Sequence, residues 1–208
     1  MTSKVPIGGL LLAGGKSRRM GGGDKCLLTI AGETLLGRAI ARARVQTAAL
    51  ALSINGDPAR FEAYDVPVVK DVVPGHAGPL AGILSGMNWF ADRHPEIEWI
   101  VSFATDAPFF PPDLVARLHA AVMDAKADLA CAVSEGRRHP VFGLWPQRLR
   151  GELSEAVFGE ELRRIDRWTG RYEVADVVFE GAPDPFFNIN TADDFAAAES
   201  LTAQGAAA

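Results

Sequence analysis

The chain has 208 residues, 48% of them hydrophobic and 23% charged, and a formal net charge of −5. These values are typical of a globular protein with a sizeable core, and the negative charge argues against a broad nucleic-acid-binding surface. The only cysteines, Cys26 and Cys131, are far apart and form no C-x-x-C pair, so we expect neither a disulfide framework nor a zinc site. Because no apolar run is long enough to span a membrane and the first residues do not resemble a signal peptide, we expect a cytoplasmic protein without a membrane partner. We predict one domain over residues 1–208, with a frayed tail from about residue 203.

Strand-like and helix-like segments alternate along the chain. Hydrophobic periodicity predicts strands at Ile7–Leu12, Ala48–Ile54, Val66–Lys70, Trp99–Ala104, Leu129–Val133, Val141–Trp145 and Val174–Phe179. It predicts helices at Thr34–Val45, Leu80–Arg93, Pro112–Met123, Leu149–Phe158, Glu160–Trp168 and about Ala192–Leu201, with a shorter one at Pro58–Tyr64. This order favours an α/β fold, a three-layer sandwich with helices on both faces of a mostly parallel sheet.

The segment directly after the first strand is rich in glycine and in basic residues. From Leu12 to Lys25 it reads Leu-Ala-Gly-Gly-Lys-Ser-Arg-Arg-Met-Gly-Gly-Gly-Asp-Lys. Glycines let the backbone approach a ligand closely, and backbone N–H groups beside fixed cations form a cradle for a polyphosphate. The segment is neither a Walker A motif, which would need a glycine at Leu10, nor a dinucleotide fingerprint, which would need one at Cys26. The alternative is a solvated basic loop.

Three polar residues follow predicted strands at their carboxyl ends, namely Asn55, Asp71 and Asp106. In an open α/β sheet ligands bind outside those ends, so we expect these residues and the glycine-rich segment to line one crevice. Asp106 has the chemistry of a Mg²⁺ ligand, or it caps the helix that follows. Asp71 could accept hydrogen bonds from a ligand, which the resemblance described below makes a guanine edge or a ribose, or only make a turn. Asn55 stands in Asn-Gly, a common turn pair.

The glycine-rich segment resembles the nucleotide-binding signature of the molybdenum cofactor guanylyltransferase family, roughly L-A-G-G-x-x-R-R-M-G-G-x-D-K, and matches every specified position. Weaker resemblances occur at residues 78–82, 103–108, 138–141 and 188–191. The resemblance implies a Rossmann-like nucleotidyltransferase fold. It also implies transfer of GMP from GTP to molybdenum-molybdopterin, with release of pyrophosphate. Cytidylyltransferase relatives usually carry Leu-Ala-Ala-Gly at the start of the signature.

The resemblance also implies roles for individual residues. Catalysis is expected of Arg19, Lys25 and Asp106, with Asp106 holding Mg²⁺. Nucleotide binding is expected of Leu12, Ala13, Gly14, Gly15, Lys25, Asn55, Asp71 and Asp106. Contacts with the second substrate are expected of Gly78, Pro79, Leu80, His139, Pro140, Asn188 and Asn190.

Several of these roles have a purely structural alternative. The stretch Gly78–Gly82 could be a turn, and the two asparagines could instead sit at the metal or build the entry to the last helix. Molybdoenzymes, their chaperones and other cofactor-biosynthesis proteins are the partners consistent with the resemblance.

Three other functions remain open from the sequence. They are cytidylyl transfer to the same pterin, nucleotidyl transfer to a sugar phosphate, and non-catalytic delivery of the cofactor to molybdoenzymes. Sugar-phosphate enzymes usually have a larger acceptor domain than 208 residues allow. A delivery protein would be expected to lack Lys25 or Asp106, and both are present.

Overall fold

The computed structural model describes residues 5–14, 24–73 and 78–203. Its strands are β1 (Ile7–Leu12), β2 (Thr29–Ile30), β3 (Glu33–Thr34), β4 (Ala49–Ile54), β5 (Val68–Lys70), β6 (Trp99–Ala104), β7 (Leu129–Ser134), β8 (Arg137–Pro146) and β9 (Val174–Val178). Its α-helices are α1 (Leu35–Arg44), α2 (Pro79–Arg93), α3 (Leu114–Ala125), α4 (Arg150–Phe158), α5 (Ile165–Thr169) and α6 (Ala192–Ala203). Short 3₁₀ helices cover Lys25–Leu27, Pro58–Tyr64 and Gln147–Leu149. None of the helices within these ranges has the length and apolar character needed to cross a bilayer.

Seven strands form the central sheet in the order β5-β4-β1-β6-β8-β7-β9. β4 and β6 both run parallel to β1, and β5 runs parallel to β4. Only β8 is antiparallel to its neighbours, β6 and β7. The predicted mostly parallel α/β fold is therefore confirmed. The chain moves outward from β1 to β4 and β5 and returns on the other side of β1 as β6, so the strand order reverses at β1 and a ligand crevice is expected at the carboxyl ends there.

Helices cover both faces of this sheet, which gives the predicted three layers. α1 and α3 bury one hydrophobic cluster against the sheet, and α2, α4 and α5 bury a second cluster on the opposite face. α2 packs very close to β1 because Gly86 has no side chain: a Cβ there would overlap the side chain of Leu10. This close approach brings the N-terminal end of α2 to the edge of the sheet where β1 ends.

A hairpin that the sequence patterns did not predict lies beside the sheet. β2 and β3 pair antiparallel through Ala31 and Gly32, whose φ angles of 49° and 81° fit a tight turn of left-handed residues. Ile30 of the hairpin and Leu35 of α1 form a third small cluster with Ile189 and Ala198 from the chain around α6. The hairpin thus holds the segment before α6 next to the crevice.

Several predicted boundaries are wrong. Residues 160–164 are not helical: Glu161 has a φ of 53°, and the N–H of Leu162 bonds back to the carbonyl of Ala156 at 2.8 Å, so the chain turns before α5 begins. β8 begins at Arg137 and not at Val141, because the tight turn after β7 pairs Ser134 with Arg137; the register then shifts between Ala132 and Cys131 before pairing resumes at Gly143. α6 continues to Ala203, so the predicted fraying does not include that residue, and residues 204–208 lie outside the described residues.

Candidate active site

A cavity of about 280 Å³ lies at the carboxyl ends of β1, β4, β5 and β6. The structure brings nine predicted site residues together in its lining, namely Leu12, Ala13, Gly14, Lys25, Asn55, Asp71, Gly78, Pro79 and Asp106. The expectation of one shared crevice is therefore confirmed for Asn55, Asp71, Asp106 and the described ends of the glycine-rich segment. The predicted Gly15 and Arg19 lie outside the described residues, as does most of the glycine-rich segment.

A buried lysine links two distant parts of the chain at one side of the crevice. The ammonium group of Lys25 donates to Oδ2 of Asp106 at 2.8 Å and to Oδ1 of Asn190 at 2.6 Å. Lys25 is only 9% exposed, whereas the side chain of Asp106 is 34% exposed. The lysine is thus held by two oxygens, one of which also faces solvent and can meet a ligand.

Two hydrogen bonds, one from a side chain and one from the backbone, fix the position of Asp106 after β6. The hydroxyl of Thr105 donates to the carbonyl of Leu12 at 3.0 Å, which ties the ends of β6 and β1 together. The N–H of Ile189 donates to the carbonyl of Asp106 at 2.9 Å, which attaches the segment before α6 to the same point. The N-cap of α3 is Asp113, so the alternative role of Asp106 as a helix cap is wrong.

The opposite wall is built from the ends of β4 and β5. The hydroxyl of Ser53 donates to Oδ1 of Asp71 at 2.7 Å, and the N–H of Asp71 donates to the carbonyl of Ile54 at 3.3 Å. The N–H of Val72 donates to Oγ of Ser85 in α2 at 2.8 Å. The chain after β5 is therefore attached both to β4 and to the helix above it, and the Asp71 carboxylate faces the crevice.

Gly14 and Asn55 lie side by side on one wall of the crevice, just after the neighbouring strands β1 and β4. A Cβ at Gly14 would lie 2.8 Å from Nδ2 of Asn55, closer than a side chain can approach without a shift. An alanine at this position, as in Leu-Ala-Ala-Gly, would displace the Asn55 amide. The glycine therefore fixes the width of this part of the pocket.

Arg60 links the end of the glycine-rich segment to the end of β4, a contact that the sequence patterns did not indicate. Its guanidinium forms an ion pair with Asp24, the residue before Lys25, and donates to the carbonyl of Asn55 at 3.2 Å. The polypeptide entering the 3₁₀ helix Lys25–Leu27 is thereby attached to the end of β4. This arrangement helps to direct Lys25 into the crevice.

Some residues predicted to contact the second substrate lie away from the cavity lining. Leu80 is fully buried in the cluster beneath α2. Pro140 lines a separate cavity of about 90 Å³. Asn188 is exposed, while its neighbour Asn190 reaches Lys25. Of this set, only Gly78, Pro79 and Asn190 lie at the crevice.

His139 also lies away from the crevice, because it is a buried residue of β8, where it pairs with Ala132 of β7. Its Nε2 lies 2.6 Å from Oγ of Ser134, and its ring centroid lies 4.7 Å from that of Phe186. The Ser134 hydroxyl donates to Oδ1 of Asp184 at 2.6 Å, so Nε2–H of the neutral histidine donates to Ser134. Burial lowers the pKa of His139, which favours this neutral form. In this structure His139 packs and bonds internally.

The described part of the crevice offers oxygen ligands for a metal ion. Among residues 5–14, 24–73 and 78–203, no group of three or more His, Cys, Asp or Glu side chains could hold a metal. Asp106 and Asn190 nevertheless direct a carboxylate and an amide oxygen at one point, which the Lys25 ammonium occupies. Mg²⁺ needs only one or two protein oxygens when phosphate and water supply the rest. The donor set therefore fits Mg²⁺ together with a nucleotide.

The fold and this crevice define an α/β nucleotide-binding protein, with cationic, carboxylate and glycine groups where the strand order reverses. Comparison with known proteins agrees. The model of the MobA-like NTP transferase domain matches residues 9–175, and the chain belongs to this family. It is thus a nucleotidyltransferase.

Named relatives cover nearly the whole chain. A molybdenum cofactor guanylyltransferase of Bradyrhizobium sp. (strain ORS 278) is 56% identical over 97% of this chain and 95% of its own length. Another from Rhodopseudomonas palustris (strain HaA2) is 51% identical over 92% of this chain and 90% of its own length. Among solved structures, molybdopterin-guanine dinucleotide biosynthesis protein A from Archaeoglobus fulgidus has a TM-score of 0.77, with 23% identity over 95% of this chain and 99% of that one. This last similarity shows the shared fold alone.

Proposed function

We propose that the protein transfers GMP from GTP to molybdenum-bearing molybdopterin, which gives molybdopterin guanine dinucleotide and pyrophosphate. The observation that carries this proposal is the contact of Lys25 with Asp106 and Asn190 at the edge of a crevice whose other wall holds Gly14, Asn55 and Asp71. The relatives named molybdenum cofactor guanylyltransferase support the same activity.

The proposed reaction asks the protein for alignment and for charge, and for no covalent step of its own. The terminal phosphate of the pterin attacks the α-phosphorus of GTP, a new P–O bond forms, and the bond to the β-phosphate breaks as pyrophosphate leaves. Negative charge grows on the leaving oxygens, and a preorganised cation such as Lys25 stabilises it. Asp106 and Asn190 would hold Mg²⁺, which would neutralise further phosphate charge. Arg19 is proposed to add a second cation from the glycine-rich segment.

The base is proposed to lie between the end of β1 and the end of β5. The carbonyl of Leu12 already accepts from Thr105, and the N–H of Ala13 already donates to the carbonyl of Ser53 at 2.9 Å. We therefore assign the backbone contact with guanine to the Ala13 carbonyl and the Gly14 N–H. Asp71 would accept from the guanine edge. Cytidylyl transfer is disfavoured because Gly14, and not alanine, stands against Asn55.

The second substrate is proposed to approach from the side of Gly78, Pro79 and Asn190. Gly78 is the N-cap of α2 and has a φ of 86°, and a Cβ there would lie 2.9 Å from the carbonyl oxygen of Arg163, so a side chain would not fit. The glycine thus lets the chain before α2 pack against Arg163 at this side of the crevice. Delivery of the product to molybdoenzymes or their chaperones would follow. The proposed compartment is the reducing cytoplasm, in keeping with two cysteines that are both free and buried.

The test is a direct assay of product. The protein is incubated with molybdenum-molybdopterin, MgCl₂ and each of the four NTPs in turn, and the dinucleotides are measured by mass spectrometry. We expect the guanine dinucleotide with GTP, since a site that hydrogen-bonds a base edge can reject analogues by roughly 10⁴-fold. Equal formation of the cytosine dinucleotide would contradict the guanylyl assignment. Absence of any dinucleotide would contradict catalysis and favour the delivery role.

A further inference from the structure

A buried hydroxyl on β4 holds the carboxylate that faces the base side of the crevice. Ser53 pairs in register with Val69 of β5, two residues before Asp71. The serine is 3% exposed, and its hydroxyl donates to Oδ1 of Asp71 at 2.7 Å. A serine hydroxyl has one proton to give, so this proton is committed to the carboxylate.

The surroundings leave this pair little freedom. Gly82 of α2 lies directly over it, where a Cβ would come within 2.8 Å of Oγ of Ser53 and 3.5 Å of Oδ1 of Asp71. The backbone of Ser53 is fixed as well, because its carbonyl accepts from the N–H of Ala13. The hydroxyl thus has a rigid base from which to orient Asp71.

We infer that Ser53 is a positioning residue for base selection, which acts by orienting the Asp71 carboxylate toward a guanine edge. This inference rests on the proposed function and deepens it. An ionised carboxylate only accepts hydrogen bonds. Guanine offers two donors on one edge, its N1–H and its 2-amino group, whereas hypoxanthine offers only the N1–H. A correctly oriented Asp71 distinguishes the two bases, and a carboxylate released from Ser53 distinguishes them less well.

The inference predicts a defined pattern in equilibrium binding. Dissociation constants for GTP and for ITP are measured by calorimetry on the wild-type protein, Ser53→Ala, Asp71→Ala and the double variant. We expect the wild type to bind GTP more tightly than ITP. In Ser53→Ala the ratio of the two affinities should fall about 10-fold, as for a lost hydrogen bond to a charged group. In the Asp71→Ala background, Ser53→Ala should have no further effect on the ratio, because both changes act through one carboxylate. Ser53→Thr, which keeps the hydroxyl, should retain the preference.

Ser134→Ala is the matched control. Ser134 is also a buried serine at a strand end, 1% exposed, and its hydroxyl also donates to a carboxylate, that of Asp184 at 2.6 Å. Its loss should lower the melting temperature but leave the ratio of GTP to ITP affinity unchanged. A wild-type ratio in Ser53→Ala, or an equal loss in the Asp71→Ala background, would overturn the inference. A wild-type protein that makes the guanine dinucleotide but binds GTP and ITP equally would also overturn it while leaving the proposed reaction intact.

Discussion

Replacing Lys25 with methionine separates the structural from the functional contribution of the lysine's charge. The ammonium lies 2.8 Å from the carboxylate of Asp106, which corresponds to a gross attraction of about 6 kcal/mol at an effective dielectric constant of about 20. Burial of the ammonium offsets much of this attraction, and Asp106 remains 34% exposed and can be rehydrated when the lysine is lost. We therefore expect a net loss of about 1–2 kcal/mol of stability, or roughly 2–8 °C in melting temperature for a chain of this size.

Two functional effects of Lys25→Met should have opposite signs. Turnover should fall by about 10²–10³-fold, as when one preorganised group is removed from a transition state. Binding of Mn²⁺ to the nucleotide-free protein should instead become about tenfold tighter. The reason is that the ammonium now occupies the point where the oxygens of Asp106 and Asn190 converge, and a metal ion must displace it. In the wild type, a bound nucleotide would also tighten Mn²⁺ binding, because its phosphates would attract Lys25 away from Asp106 and Asn190.

The assay combines Mn²⁺ titration followed by electron paramagnetic resonance, thermal melting and initial rates on the same preparations. Lys70→Met is the charge-matched control, because Lys70 is exposed at the end of β5 and makes the same change in net charge. It should change Mn²⁺ affinity little. If Lys25→Met bound Mn²⁺ as weakly as the wild type and kept wild-type kcat/KM, the assigned role of the lysine would be refuted.

Three further predictions concern other parts of the crevice. Asp106→Asn should melt within a few degrees of the wild type, since an amide oxygen can still accept from Lys25. Its initial rates across a magnesium titration should nevertheless fall by about 10²–10³-fold. Full activity at low magnesium would contradict the metal role. Gly14→Ala should displace the amide of Asn55, because the new Cβ would lie 2.8 Å from its nitrogen. The KM for GTP in steady-state assays should therefore rise by about 10-fold. An unchanged KM would show that this contact is irrelevant to binding. Burial raises the pKa of both Cys26 and Cys131 to about 12, so fewer than about one thiol in a thousand is ionised at pH 8. Ellman's reagent should therefore react only after denaturation. Rapid labelling of the native protein would contradict this burial.

The parts of the fold governed by local patterns could be predicted from the sequence. β1 and β6 have the predicted bounds because each is a mostly apolar run, interrupted in β6 only by the buried Ser102, that is buried on both faces. The convergence of Asn55, Asp71 and Asp106 followed from the geometry of parallel strands, whose carboxyl ends share one edge. These features of the fold depend only on the type and order of the elements.

Contacts between distant residues could not be predicted in this way. Lys25 meets a carboxylate 81 residues away and an amide 165 residues away, and no local pattern encodes either contact. When roles are carried over from a family signature, every matching position is taken as a ligand contact, although some of these residues serve packing. Leu80 is apolar and begins an amphipathic helix, so it turns into the core, and His139 turns inward to bond Ser134.

The most direct test of the account follows two phosphorus labels in the reaction of the wild-type protein with molybdenum-molybdopterin and MgCl₂. GTP labelled at the α-phosphorus and GTP labelled at the γ-phosphorus are compared, each with an equimolar amount of unlabelled CTP. The account predicts that the α label appears in the dinucleotide and the γ label in pyrophosphate, and that the product contains guanine. Release of the γ label as inorganic phosphate without dinucleotide, or a product that contains mainly cytosine, would contradict it.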